Sequence, residues 1–222
     1  MKAHKRVFGR VEAAFDILYL LTAAAIGLWL LGQPPTAVHR LGAAMALLLA
    51  VGDAFHLVPR VAAILTGDEE RWAAAMGFGK FVTSLTMTGY YLLLWQLGLQ
   101  LAASGPAREA WHRWTLPVYL LAALRVLLCL LPQNRWLDRH PPVGWGIARN
   151  LPFLLLGLAV AALFFAQTGQ LPGAAGMGTA VLLSFAFYLP VVLWANRKPA
   201  LGMLMLPKTC AYVWMLVLCL SF

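Results

Sequence analysis

The sequence predicts an all-α protein: a polytopic transmembrane bundle of seven helices in one domain spanning residues 1–222, with a cytoplasmic N-terminus. Three observations predict it. Of the 222 residues, 62% are hydrophobic and only 11% are charged, which lies outside the range of soluble globular chains. Seven runs are long enough to supply the roughly 20 apolar residues that a span needs, at about 11–32, 41–65, 72–98, 114–132, 147–168, 174–195 and 199–221. Lys and Arg also alternate between connections, as the excess of cations on cytoplasmic loops requires. The N-terminus (Lys2, Lys5, Arg6, Arg10), the second connection (Arg60, Arg71), the fourth (Arg135, Arg139, Arg149) and the sixth (Arg197, Lys198) hold most of the cations. The opposite side holds only Arg40, Arg108 and Arg113. The net charge of +9 is therefore a topology signal and an attraction to anionic inner-leaflet lipid, not a nucleic-acid footprint. The expected location is the cell membrane, with lipid as the surrounding partner.

The first apolar run is too long for a signal peptide and six more follow it, so it reads as a retained span. It carries Asp16 near its cytoplasmic end, where a carboxylate reaches headgroups or a neighbouring cation. Gln33-Pro34-Pro35 ends it. The second span holds Gly52-Asp53-Ala54-Phe55-His56-Leu57-Val58-Pro59-Arg60, the most unusual stretch of the chain. At helical periodicity Asp53, His56 and Arg60 share one face. Charges inside hydrocarbon cost several kcal/mol unless they face a bundle interior or a wet cavity, so this face is a functional candidate. Pro59 is expected to kink the helix.

After the polar turn Thr66-Gly67-Asp68-Glu69-Glu70-Arg71, the third span returns with a polar stripe of Lys80, Thr83, Ser84, Met87 and Tyr91, and with Thr88 beside it. Counting inward from the shared turn puts Lys80 level with Asp53 and His56, where a Lys80–Asp53 pair is expected. Arg125 lies about two turns from the cytoplasmic end of the fourth span, and Arg149 and Asn150 open the fifth. Ser184 and Tyr188 share a face of the sixth, and Lys208 and Tyr212 lie one turn apart in the seventh. Cys129, Cys210 and Cys219 sit in apolar segments and form no disulfide or metal pattern, so they are expected to pack.

Nearly all of the intramembrane charge thus falls in the cytoplasmic half, which predicts one aqueous pocket open to that side and sealed outside by apolar side chains. Arg60, Lys80, Arg125, Arg149 and Lys208 outnumber Asp16 and Asp53, so an anionic group, most simply a phosphate, is the expected guest. No nucleotide loop, nucleophile elbow or zinc-protease helix appears, and His56 with one aspartate at i−3 is too little for a metal site.

The run Gly52 to Arg60, followed by Gly77, Phe81, Ser84, Thr88 and Tyr91 and later by Ser184-Phe185 before Asn196-Arg197, resembles the YhhN family of integral membrane proteins, the lysoplasmalogenases. The resemblance covers most of the chain in order. It implies hydrolysis of the vinyl-ether bond of lysoplasmalogens, without a cofactor: an acid protonates the enol-ether carbon and a base-assisted water attacks the oxocarbenium ion. Asp53 matches the family's first carboxylate. Phe185 stands where the second is expected, Ser84 or Thr88 where the family has a histidine, and this chain has one span fewer before the Gly-Asp motif than the eight-span family. The expected site is Asp53 as acid, His56 as auxiliary base, and Lys80, Arg125 and Lys208 as an anion clamp, with Ser84, Thr88, Tyr91, Asn150, Ser184, Tyr188 and Tyr212 around the substrate. A non-catalytic transporter or lipid-binding protein, and a structural membrane protein whose cations meet headgroups, are the alternatives.

Overall fold

In the computed structural model, residues 2–138 and 141–222 are described, and among them every regular element is helical. They form α1 (Lys2–Leu31), α2 (Ala37–Thr66), α3 (Glu69–Leu101), α4 (Pro106–His112), α5 (Thr115–Leu130), α6 (Val143–Phe165), α7 (Ala174–Trp194) and α8 (Met205–Cys219). Single 3-10 segments, Pro132–Asn134 and Pro199–Leu204, precede α6 and α8. Arg139, one of the cations of the fourth connection, lies outside the described residues.

Among the described residues, six helical stretches are long and apolar enough to cross a membrane: Val7–Leu31, Ala37–Thr66, Arg108–Leu130, Val143–Phe165, Ala174–Trp194 and Ala200–Cys219. The expected third span, α3, is not among them. Ser84, its threonines and tyrosines, Gln96 and Lys80 dilute its hydropathy. Yet α3 packs on α2, α5 and α6, and its stretch from Met87 to Leu99 is largely buried among them. Tyr90, Tyr91, Leu94, Trp95 and Leu97 are all fully buried on it. A sheathed helix meets protein rather than lipid, so it can be polar where an outer helix cannot.

The connections explain the order of packing. Thr36 caps α2 by accepting from the His39 N–H at 3.1 Å, after Pro34 and Pro35 have ended α1. The turn between α2 and α3 is only Gly67 and Asp68. Gly67 takes a left-handed conformation (φ 72°) that closes α2, and Asp68 accepts from the Arg71 N–H at 3.0 Å to open α3. Such a tight turn forces an antiparallel hairpin. At the far end of the chain α8 closes the bundle by packing on α1, α2 and α7.

Two close approaches set helix spacing. A Cβ at Gly79 would collide with the Phe55 carbonyl, so α3 touches the backbone of α2 there. That carbonyl is the one Pro59 leaves without its helical donor. α2 nevertheless runs as unbroken α-helix through Pro59. Gly157 on α6 leaves room for the Phe185 ring of α7. Of the three cysteines, Cys129 and Cys219 pack inside as expected, whereas Cys210 is exposed.

Candidate functional site

Two polar contacts lock α1 against α2 in antiparallel register. The Arg60 Nε donates to Glu12 Oε1 at 2.8 Å, and the Tyr19 hydroxyl donates to Asp53 Oδ2 at 2.6 Å. They are seven residues apart on each helix, about 10 Å along the axis. Between them, Asp16 lies on the same face of α1 and His56 on the same face of α2. Asp16 is only 6% exposed, so it turns into the bundle instead of reaching toward headgroups.

α3 and the start of α8 complete the walls of a cavity of about 390 Å³, lined by Glu12, Asp16, Asp53, His56, Arg60, Lys80, Thr83, Lys208 and Thr209 together with apolar side chains such as Phe8 and Met205. It lies between the first half of α1, the second half of α2 and the first half of α3, the end of the bundle that holds the N-terminus and the Gly67–Asp68 turn. His56 is held by α3: its Nδ1 lies 3.3 Å from the Met76 carbonyl, which can only accept, so Nδ1 carries the proton in that bond. In the neutral ring Nε2 is then an acceptor.

Lys208 enters from α8, one turn after the 3-10 segment. Its ammonium lies 4.9 Å from the Tyr188 ring centre and 5.1 Å from that of Tyr212. Aromatic faces attract an ammonium without neutralising it. Tyr188 is in turn fixed by donating to Asn150 Oδ1 at 3.1 Å, and Asn150 donates to the Gly146 carbonyl at 2.8 Å. Lys208 and Asp53 line the same cavity without forming an ion pair within 4.0 Å.

The expected residues therefore separate into groups. Asp53, His56, Lys80 and Lys208 share the cavity. Tyr188, Tyr212 and Asn150 back Lys208 from behind. Ser84 and Thr88 spend their hydroxyls on their own helix, donating to the Lys80 carbonyl at 2.8 Å and the Ser84 carbonyl at 2.9 Å. Ser184 donates to the Val181 carbonyl at 2.7 Å, so the Tyr91 hydroxyl donates to Ser184 at 2.9 Å. Tyr91 and Phe185 then stack with Phe153 in an aromatic plug, at centroid distances of 4.9, 5.5 and 5.0 Å. Phe185 thus fills space where the family resemblance expects a carboxylate.

Arg125 does not line the cavity. It is 2% exposed, lies against the Phe153 ring, and leaves its Nε and Nη1 without hydrogen-bond partners among the described residues. Arg149 is also spent elsewhere, stacked 4.2 Å over Trp136 and donating to Asn134 Oδ1 at 2.8 Å. The Lys80–Asp53 pair does not form. Among the described residues the ion pairs within 4.0 Å are Arg60 with Glu12 and Glu69, and Arg135 with Asp138. Asp53 turns to Tyr19 on α1 instead, and Lys80 is exposed.

The charge balance changes accordingly. Glu12, Asp16 and Asp53 face Arg60, Lys80 and Lys208 across the cavity. Glu12, which lines the cavity, and Tyr19, which holds Asp53 from α1, are residues that sequence reasoning missed. Their signal was present, because positions 12, 16 and 19 fall on one face of α1, level with 60, 56 and 53 once α1 and α2 form a hairpin. Compared with known proteins, the chain matches no family model, no curated protein and no solved structure.

Proposed function

We propose that this chain is a seven-span integral membrane protein that takes the polar head of a membrane amphiphile into the cavity between α1, α2, α3 and α8, and that the head carries both signs of charge. The single observation that carries this reading is the cavity wall, in which carboxylates and ammoniums stand together. Glu12 and Arg60 neutralise each other, which leaves Asp16 and Asp53 opposite Lys80 and Lys208. A phosphate suits the ammoniums, and an amine or quaternary amine suits the carboxylates. The volume falls within the roughly 300–1,000 Å³ of small-ligand sites. α3 supplies the seventh span, sheathed by its neighbours, and the cation bias of the connections puts the cavity end and the N-terminus in the cytoplasm.

A second reading, vinyl-ether hydrolysis, is favoured by one specific feature. Such a reaction needs an acid for the enol-ether carbon and a base for water. Phe185 removes the family's second carboxylate, yet Asp16 brings another into the same cavity as Asp53 and His56.

The test uses purified protein in detergent with alkenyl and acyl forms of lysophosphatidylethanolamine. Binding followed by thermal stabilisation is expected for both, and to weaken at least about tenfold in Lys208→Met and Asp53→Asn, since tenfold corresponds to about 1.4 kcal/mol of lost contact. Equal binding by these variants and the native chain would overturn the cavity reading. Aldehyde release from the alkenyl lipid that disappears in Asp53→Asn supports hydrolysis, whereas binding without release leaves a lipid-binding or carrier protein.

A further inference from the structure

A second cavity, of about 680 Å³, lies against the first between the ends of α1 and α2. Arg10, Ile64, Thr66 and Glu69 line it. Phe8, Glu12 and Arg60 line both cavities. The Arg60–Glu12 ion pair is therefore a partition: its two side chains form part of the inner cavity's wall and part of the outer one's.

We propose that the outer cavity is a loading site for the head of a membrane amphiphile, and that the head reaches the inner cavity by displacing Arg60 from Glu12 toward Glu69. This rests on the amphiphile reading above. Two observations support it. Arg60 already has a second carboxylate, with its Nη1 3.9 Å from Glu69 Oε1 while its Nε holds Glu12 at 2.8 Å. A guanidinium with two carboxylates at different distances can change partners without losing its counter-charge, so the cost of opening is small. Arg60 and Glu12 are also only partly buried, with one-third and about one-fifth of their side chains exposed, unlike the buried Tyr19 deeper in the same interface.

The occupant follows from the surroundings. Val7, Val11 and Leu65 beside the outer cavity are more than half exposed, and a bundle of this composition exposes such side chains to lipid tails. The outer cavity combines that apolar margin with the guanidiniums of Arg10 and Arg60, the Thr66 hydroxyl and two carboxylates. An amphiphile from the facing leaflet fits both parts. Its tail stays against α1 and α2, and its phosphate meets the two guanidiniums. A water-soluble solute would have no use for the apolar margin.

The experiment places one reporter cysteine in each cavity, Thr209→Cys inside and Ile64→Cys outside, in full-length chain with Cys129, Cys210 and Cys219 changed to alanine. A charged methanethiosulfonate reagent labels each in detergent. Glu12→Gln is expected to speed labelling of the inner reporter about tenfold, because it frees Arg60 for Glu69, and Glu69→Gln to slow it, because it leaves Glu12 as the only partner. Glu69 is exposed, so its variant folds even if Glu12→Gln does not. Lysophosphatidylethanolamine is expected to protect the outer reporter even in Lys208→Met, where binding in the inner cavity is lost. Inner labelling rates that do not change, or that move the same way in both glutamine variants, overturn the partition. Loss of outer protection in Lys208→Met overturns the loading site. Lipid binding lost altogether, with the opposite rate changes retained, overturns the amphiphile reading and leaves the partition standing.

Discussion

Lys208 and Arg125 are both cations sunk deep in the same bundle, and the protein treats them in opposite ways. Lys208 faces a cavity that it shares with Asp53, Asp16 and His56. Arg125 lies outside that cavity, in dry packing against Phe153 beside the Tyr91–Phe185 stack; neither cation has a carboxylate within 4.0 Å among the described residues, but only Lys208 shares a cavity with carboxylates. The first cation has room, counter-charge and a route to water. The second has aromatic faces and unused donors. Intramembrane charge is therefore not by itself a mark of a binding site; the mark is charge beside space. The two regions also divide the bundle, with an ionic cavity at the end holding the N-terminus and a plug of rings beyond it.

Substitutions on either side sharpen that contrast. The largest effect is expected from Phe185→Asp, which restores the carboxylate suggested by the family resemblance but places it among Tyr91, Phe153 and Gly157. Exchanging the buried ring for a carboxyl in that packing costs about 4 kcal/mol, so the variant should unfold at a much lower temperature in detergent without gaining hydrolysis. Aldehyde release by this variant would show that the plug is a disguised second half of the site. Lys208→Met comes next. It removes one of the two ammoniums that face Asp16 and Asp53 across the cavity, and a loss of lipid binding of at least about tenfold is expected. Tyr19→Phe removes only the hydroxyl that donates to Asp53, and about 2 kcal/mol is expected, since hydrogen bonds to charged groups are worth more than neutral ones. Arg125→Met is the smallest change and has the opposite sign. Replacing an unpaired buried charge by an apolar chain of similar length is neutral or stabilising by about 1 kcal/mol. A large destabilisation by Arg125→Met, with lipid binding lost, would erase the distinction between the two cations.

Most of the helices were legible in the sequence because hydropathy reports how much lipid a segment must face. The expected limits 41–65, 72–98 and 174–195 fall close to α2, α3 and α7. Hydropathy does not report which helix its neighbours bury, and α3 shows the consequence: the least apolar candidate is largely buried from Met87 to Leu99. Asp53, His56, Lys80 and Lys208 were legible as a group because each is expensive in hydrocarbon, and the cavity gathers all four. Arg125 was grouped with them on cost alone, which says nothing about direction. Ser84 and Thr88 illustrate another blind spot. A hydroxyl on a helix can always bond to the carbonyl one turn back, so its presence on a polar stripe does not commit it to a partner. Glu12 escaped notice because it sits among the basic residues of the first turns, and Tyr19 because it reads as one more aromatic in an apolar run. Only the pairing of α1 with α2 gives either a role.

The two-residue turn at Gly67–Asp68 also bears on how the chain enters a membrane. In the seven-span reading α3 is too polar to leave the translocon alone, and so short a turn gives it no freedom to wait outside while α2 partitions into lipid. The two helices insert together as a hairpin, with α2 carrying the hydrophobic drive for both. A ribosome-bound intermediate ending just after residue 66 would then insert less stably than one extended past residue 101, although its emerged segment is the more apolar of the two.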